Sequence, residues 1–352
     1  MIRFRTYRFP FKKPFVTAQG SITHRKGIIL EGEMQGIRFF GEASPLPGFS
    51  TETLDEALLF LNAHKQAIEV LFERQLTLAE FDRHCAALNG PPSAGFGLSV
   101  AMGDFLARKD HLPLFRYLNP ASPGTVAVNA TLASSQADEL IERAMHAWNN
   151  GFTVLKVKVG KNTEAEFSAL KTIRESLPDC RLRIDANGAW DAQQALRNLN
   201  RFYDLQIEFC EQPVRAADLK GLSDLSRQSP IPVAADESAR TLQQIRSVID
   251  RQAADILIIK PMLIGSISQF HAVTDLAAAA GIPVVVTSCL EAGPGRRASA
   301  HLAAGLEAQR YAHGLATGRL LRSDFFPSAD PIENGYYYLP DSGLDLSGSV
   351  TS

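Results

Sequence analysis

The sequence has only four cysteines in 352 residues, Cys85, Cys180, Cys210 and Cys289. They are far apart and never form a C-x-x-C pair, so neither a disulfide framework nor a thiolate metal site is expected. Charge of one sign is also missing: 36 basic residues face 38 acidic ones, for a net charge of −2. No basic stripe is interleaved with aromatics, which argues against a nucleic-acid surface. Long apolar runs are absent. The basic start MIRFRTYRFPFKKPF carries no run long enough for a signal peptide, and LAAAAGIPVVV (276–286) is too short and too broken to cross a membrane. No Gly-x-Gly-x-x-Gly or Gly-Lys-Ser/Thr loop follows the first strand of the repeating region, which weighs against dinucleotide and P-loop folds. The expectation is a cytoplasmic protein whose partner is a small molecule, with no nucleic-acid or membrane partner and with self-association left open.

Hydrophobic residues make up 45% and charged residues 21% of the chain, enough to bury a substantial core. Residues 1–122 read as an α+β region. Strand-like segments IRFRTYRF, GIILEGEM and IRFFGEA come first, with a hairpin turn at EMQGI, and helical patterns follow at TLDEALLFLNAHKQAIEVLF and SVAMGDFLARKD. From 123 to 320 the chain becomes rhythmic. Short apolar strands recur at VAVNATL (126), VLKVKV (154), LRIDAN (182), IEFCEQP (207), IPVAADES (231), DILIIKP (255) and IPVVVTS (282), with YAHGLATG (311) as a weaker eighth. Helical segments fill the gaps. This alternation predicts an α/β fold with parallel strands and right-handed crossovers, a (β/α)8 TIM-type barrel. The N-terminal region would cap it, and residues 321–352 would pack back on that cap.

In a parallel barrel the active site lies at the C-terminal ends of the strands. There the second strand carries Lys156 and Lys158, the third Asp185, the fourth Glu211, the fifth Asp236 and the sixth Lys260. The steps from 185 to 211, 236 and 260 are 26, 25 and 24 residues, each about one strand–helix unit. The groups therefore stand at similar heights on neighbouring strands. Three carboxylates converging in a partly buried place need a counter-charge. Hard oxygen ligands without His or Cys suit Mg²⁺, with Mn²⁺ as the substitute. Lys158 and Lys260, on opposite strands of an eight-membered ring, would flank a substrate held at that ion. Such a site suits removal of a proton next to a carboxylate, since the enediolate produced needs a divalent cation. A lysine base must titrate below its usual value of about 10.4; burial, the metal and the neighbouring ammonium of Lys156 would all push Lys158 downward.

At these residues the sequence resembles the enolase superfamily, specifically its muconate-lactonizing subgroup. The match is carried by KVKVG (156–160), DANGAW (185–190), CEQP (210–213), ADES (235–238) and IIKP (258–261). The resemblance implies Mg²⁺ on Asp185, Glu211 and Asp236, with Lys158 and Lys260 as the acid/base pair, a lysine-plus-Mg²⁺ pattern found across that superfamily. Lys156, Asn187, Gln212, Glu237 and Ser238 would hold ligands and lysines in place. Dipeptide epimerases of the subgroup typically carry an Asp-x-Asp at the end of the eighth strand; here that region is HGLATGRLL (313–321), without an acid. On overall likeness the chain is most similar to the o-succinylbenzoate synthases of menaquinone biosynthesis. That likeness implies a lyase that dehydrates a succinyl-bearing hydroxycyclohexadiene carboxylate to o-succinylbenzoate. N-acylamino acid racemisation, dipeptide epimerisation and muconate-type cycloisomerisation are the alternatives on the same site, and a barrel that binds without catalysis is the non-enzyme alternative.

Three further features carry expectations. FVTAQGSITHRKG (15–27) resembles the capping loop that closes such sites, so Arg25 or Lys26 is expected to meet a substrate carboxylate. SCLEAGPGRR (288–297) places glycines before a helix, a candidate anion site; Ser288 is expected to contact substrate, and Arg296 and Arg297 to lie on the surface. The histidines have no metal-ligand spacing and read as structural.

Overall fold

The computed structural model describes residues 1–17, 20–326, 330–341, 344 and 346. The first strands form an antiparallel sheet in the order β1 (Ile2–Thr17), β2 (Gly20–Met34), β3 (Ile37–Ala43). The expected hairpin turn is Gln35–Gly36, both at positive φ (55° and 75°), which matches the right-handed twist of the flanking strands. β1 and β2 slip in register between Pro10 and Phe15, where a proline that cannot donate follows two lysines. The segment expected to be one long helix is two, α1 (Leu54–Ala63) and α2 (Lys65–Glu73), interrupted at His64. Helix α3 (Leu78–Ala86) starts at a reciprocal Thr77–Glu80 capping box, as α1 does at Thr53–Glu56. Helix α4 (Pro92–Lys109) is buried nearly all round. It lies so close to β3 that a side chain at Gly41 would run into the Gly97 carbonyl.

After α5 (Leu114–Leu118) and β4 (Thr125–Ala127), the barrel runs as β5 (Ala130–Leu132), α6 (Ala137–Asn149), β6 (Val154–Lys158), α7 (Thr163–Ser176), β7 (Arg181–Asp185), α8 (Ala192–Phe202), β8 (Ile207–Glu211), α9 (Leu219–Gln228) and β9 (Val233–Ala235). It continues through α10 (Leu242–Asp250), β10 (Ile256–Ile259), α11 (Pro261–Ile264), α12 (Ile267–Ala279), β11 (Val284–Val286) and α13 (Gly293–Ala304). Strands β5 to β11 are neighbours in sequence order, all parallel. The ring closes through single parallel bridges, Val128 to His313 and Thr287 to Gly314. The weak eighth strand is thus two residues long. No α-helix follows it among the described residues, only a short 3₁₀ turn at Gly318–Leu320. From there the chain returns to β1, with Leu321 bridging Phe11 and the Arg322 N–H donating to the Pro10 carbonyl. The fold is a TIM-type barrel whose eighth unit, among the described residues, carries a short 3₁₀ turn and a tie to the cap where a helix would stand.

The expected first barrel strand is also divided. Its first part, β4, pairs antiparallel with β13 (Tyr336–Tyr338), itself paired with β12 (Ile332–Glu333). The C-terminal segment therefore lies first on the barrel's opening strand, and Leu344 and Leu346 reach the main core. All four cysteines are buried free thiols. Among the described residues no helix is long and apolar enough to cross a membrane.

Candidate active site

Every residue chosen from the strand ends stands at one mouth of the barrel. Lys158 ends β6, Asp185 ends β7 and Glu211 ends β8; Asp236 follows β9 and Lys260 follows β10. The ladder pairs Lys158 with Asp185 and Asp185 with Glu211 directly. In a ring of eight, β6 and β10 are opposite, so Lys158 and Lys260 face each other across the three carboxylates. Two residues after strand ends, Asn187 (φ 45°) and Gln212 (φ 39°), adopt left-handed backbone, a conformation that costs a non-glycine residue energy and clusters at functional sites.

The lysines hold the carboxylates. Lys156 Nζ reaches Asp185 Oδ2 at 3.1 Å and both oxygens of Glu211 at 2.9 and 3.0 Å. Lys158 Nζ donates to Asp185 Oδ2 at 2.5 Å and to Asn187 Oδ1 at 2.7 Å. Lys260 Nζ is paired with Asp236 Oδ1. Asn187 passes the network on, its Nδ2 donating to Glu237 Oε1 at 3.1 Å. Gln212 braces the fifth-strand corner: its Oε1 accepts from the Asp236 and Ser238 N–H groups at 3.0 and 3.1 Å, and its Nε2 donates to Ser238 Oγ at 2.8 Å.

The electrostatics follow from this crowding. Burial raises the Glu211 carboxyl, with Asp185 adding to the effect, while the ammonium groups of Lys158 and Lys156 hold Asp185 down against its own burial. Burial opposes the charge on Lys156, yet Glu211 and Asp185 outweigh it and hold that lysine above its ordinary value. Lys260 is likewise kept protonated, burial being outweighed by Asp236 and Glu237. Among the described residues no three His, Cys, Asp or Glu side chains stand together as a ready metal cage, because ammonium groups fill the space between the acids. The donor set still fits a hard cation. It offers three buried carboxylates, Asp185, Glu211 and Asp236, from adjacent strands and no nitrogen or sulfur ligand.

Other expectations fare differently. Arg25 is 1% exposed and spends all five N–H donors on main-chain carbonyls, those of Leu290, Lys26, Pro45, Ser44 and Cys289. No donor remains for a substrate carboxylate. It lies within β2, paired with Phe9, while Lys26 is solvent-exposed on the same strand. Residues 18 and 19 of the expected closing loop lie outside the described residues. Ser288 follows β11, and its hydroxyl bonds that of Thr317 at 2.7 Å. The glycine-rich turn before α13 does bind an anion, but the protein's own: Glu42 of β3 accepts from the Ala292 and Gly295 N–H groups at 2.9 and 2.8 Å, and Asp324 from Gly293 at 2.7 Å. Arg296 is buried rather than on the surface, held by Asp324 and Asp330, and Arg297 covers the Phe326 ring. Burying so large a cation is tolerable because each side of the guanidinium meets a carboxylate.

Two residues at the mouth carry no motif. Phe49, from the cap loop between β3 and α1, sits 5.6 Å from Lys260 Nζ, measured from the ring centre. Arg240, four residues past Asp236, lies over the same ring, its Cζ 5.2 Å from the ring centre. The clue available in the sequence was the glycine and two prolines of SPLPGF, which mark a loop but not its target.

Residues 139–347 match the family model described as enolase C-terminal domain-like, and residues 1–105 match that of the MenC N-terminal domain. A hydrophobic dipeptide epimerase of Enterococcus faecalis is 31% identical over 309 residues, covering 86% of each chain. An o-succinylbenzoate synthase of Thermobifida fusca is 36% identical over 227 residues, 63% of this chain and 68% of that protein. Among solved structures, the Enterococcus faecalis dipeptide epimerase complexed with Mg and the dipeptide L-Leu-L-Tyr superposes with a TM-score of 0.88 at 27% identity, covering 97% of both chains. The muconate lactonizing enzyme of Pseudomonas putida shares the fold, with a TM-score of 0.86 over 99% of this chain and 97% of that one at 24% identity. Strand-end lysines and carboxylates, barrel and cap thus agree with both halves of the chain's similarity: it belongs to the enolase superfamily, within the muconate-lactonizing subgroup.

Proposed function

We propose that the protein epimerises or racemises an amino-acid-derived carboxylate at the carbon next to the carboxyl group, using Lys158 and Lys260 from opposite faces. The observation that carries this reading is the placement of one lysine on β6 and one after β10, four strands apart in a ring of eight, with Asp185, Glu211 and Asp236 between them. One lysine takes the α-proton and the other returns a proton to the opposite face; that inverts the centre. Mg²⁺ held by the three carboxylates would stabilise the charge that develops on the substrate carboxylate. Lys156 and Asn187 orient the donors: Lys156 neutralises Glu211 and Asp185, and Asn187 accepts from Lys158, which fixes its Nζ. A hydrophobic dipeptide epimerase and an L-Ala-D/L-Glu epimerase are each similar over 86% of this chain, which supports this reading over dehydration. The segment 313–317 at the eighth strand has no acid to meet a free α-ammonium. Within the reading, therefore, an N-acylated amino acid suits the site better than a free dipeptide.

A second reading is dehydration to o-succinylbenzoate. It is favoured by the match of residues 1–105 to the MenC N-terminal model and by the Thermobifida fusca relative. There Lys158 would remove the proton and Lys260 would stay protonated beside the ring. The two readings separate in one assay with Mg²⁺ present: N-acylamino acids, dipeptides and the succinyl-hydroxycyclohexadiene carboxylate, each followed for α-proton exchange in D₂O and for aromatisation by ultraviolet absorbance. Inversion of an N-acylamino acid with a kcat/KM above that for the diene supports epimerisation. Fast aromatisation with only slow exchange of amino-acid derivatives replaces it with the dehydratase.

A further inference from the structure

The cap touches the barrel's chemistry at one place that the mechanism above does not use. Phe49 is half-buried in the loop that carries Gly48 at φ 83°, and its ring lies over the Lys260 ammonium. The ring is held from the barrel side. Arg240 stacks on it, and Arg240 Nη1 donates to the carbonyls of Gly48 at 3.4 Å and Phe49 at 3.3 Å. Arg240 Nε is buried with no hydrogen-bond partner. A guanidinium normally satisfies its buried donors; this one is placed for its contact with the loop. Behind the ring, the cluster of Phe9, Phe11, Leu46, Leu290, Ala292 and Leu321 backs the loop from both cap and barrel.

The two lysines are treated unequally. The Lys260 side chain is 9% exposed, that of Lys158 34%. Among the described contacts, Lys158 meets only barrel residues, Asp185 and Asn187, whereas Lys260 is shared between Asp236 of the barrel and Phe49 of the cap. We propose that Arg240 is a positioning residue that pins Phe49 over Lys260, so that the cap supports the Lys260 face of the site, whereas the described contacts of Lys158 all come from the barrel. The ring face attracts the ammonium and excludes water from it. An ammonium so held delivers its proton along one direction, which is where misplacement costs rate. The consequence is asymmetry between the faces: loosening the clasp slows α-proton exchange at the Lys260 face and spares exchange at the Lys158 face.

This inference rests on the two-lysine reading, so its test has one arm that needs turnover and one that does not. In the first, α-proton exchange of the two enantiomers of an N-acylamino acid is followed separately in D₂O with Mg²⁺. Lys158→Ala and Lys260→Ala show which enantiomer each lysine serves. Arg240→Ala should lower kcat about tenfold or more for the enantiomer served by Lys260, with the other within about threefold. Phe49→Leu should do the same, Phe49→Tyr should restore the ratio, and the Phe49→Leu/Arg240→Ala pair should be no worse than either single change. In the second arm, lysine labelled with ¹³C at Cε is assigned through Lys260→Arg. The Lys260 signal should show a ring-current shift that Phe49→Leu removes and that Arg240→Ala reduces in the folded protein. Equal losses on both faces, or a Lys260 signal indifferent to Arg240→Ala, overturns the clasp. If the wild-type protein exchanges neither enantiomer, the functional reading fails, and the spectroscopic arm still decides the clasp.

Discussion

Lys156 and Lys158 point to the same face of β6, yet their surroundings divide them. Lys156 holds the Glu211 and Asp185 carboxylates, whereas Lys158 holds Asp185 and Asn187 and is the more exposed of the two. Replacing Lys156 by Met, which keeps the stem, should cost about 3–5 kcal/mol in metal-free protein because buried Glu211 loses its paired cation and Asp185 keeps only Lys158; chemical denaturation with and without Mg²⁺ checks it, and Mg²⁺ should recover part of the loss. Glu291 is the opposite case. Both its oxygens are buried without a well-formed hydrogen bond, and burial, with Glu42 adding, pushes its carboxyl up to about 7; Arg25 and the Cys289 thiol are its other neighbours. A carboxyl raised in the folded state is deprotonated first in the unfolded chain. Stability should therefore fall as pH rises from about 4.5 to about 7 and level off above, by up to about 3 kcal/mol. Glu291→Gln should flatten that slope in a urea titration at several pH values, and an unchanged slope refutes the assignment. Neither role is legible from residue type, since both depend on partners that only the folded chain brings near.

At the scale of elements, periodicity carried most of the information. Strands ending in a charged residue at steps of 26, 25 and 24 could be placed at one mouth because a parallel barrel puts the C-terminal ends of its strands together. The element contacts between cap and barrel were not legible. SCLEAGPGRR announces an anion at the start of α13 but says nothing of its source, which is Glu42, about 250 residues earlier. That carboxylate also accepts from the Tyr7 hydroxyl at 2.5 Å and the Ser44 hydroxyl at 2.7 Å. Glu42→Ala would strand four buried donors where β3 meets α13. The expected cost is about 3–5 kcal/mol, with the cap's amides losing hydrogen-exchange protection before those of β6 to β10. Uniform loss of protection across both regions would show that Glu42 does not act as a local anchor. Arg25 hides its role for a related reason: a basic residue near a loop suggests a ligand, whereas five inward carbonyls make it an internal brace.

For the whole molecule, ring order matters most. Eight parallel positions, seven strands and one pair of bridging residues at His313 and Gly314, set Lys158 and Lys260 against each other, and the carboxylates lie on the strands between. The sequence revealed that ring through its rhythm, apart from the eighth helix, whose place among the described residues is taken by Leu321 and Arg322 pairing with the cap. Crowded acids held apart by ammonium groups should make the folded protein a better Mg²⁺ ligand than the unfolded chain. Saturating Mg²⁺, at about 100 times Kd, should add about 2.7 kcal/mol, visible as a rise in Tm that Asp236→Asn abolishes; no rise in the wild type would contradict the metal assignment. The most direct test of the central claim is ¹H NMR of an N-acylamino acid in D₂O with Mg²⁺, comparing wild type, Lys158→Ala and Lys260→Ala. The account predicts exchange of both enantiomers by the wild type, and loss of inversion in both variants with each losing exchange of a different enantiomer. Inversion that survives either substitution would contradict it.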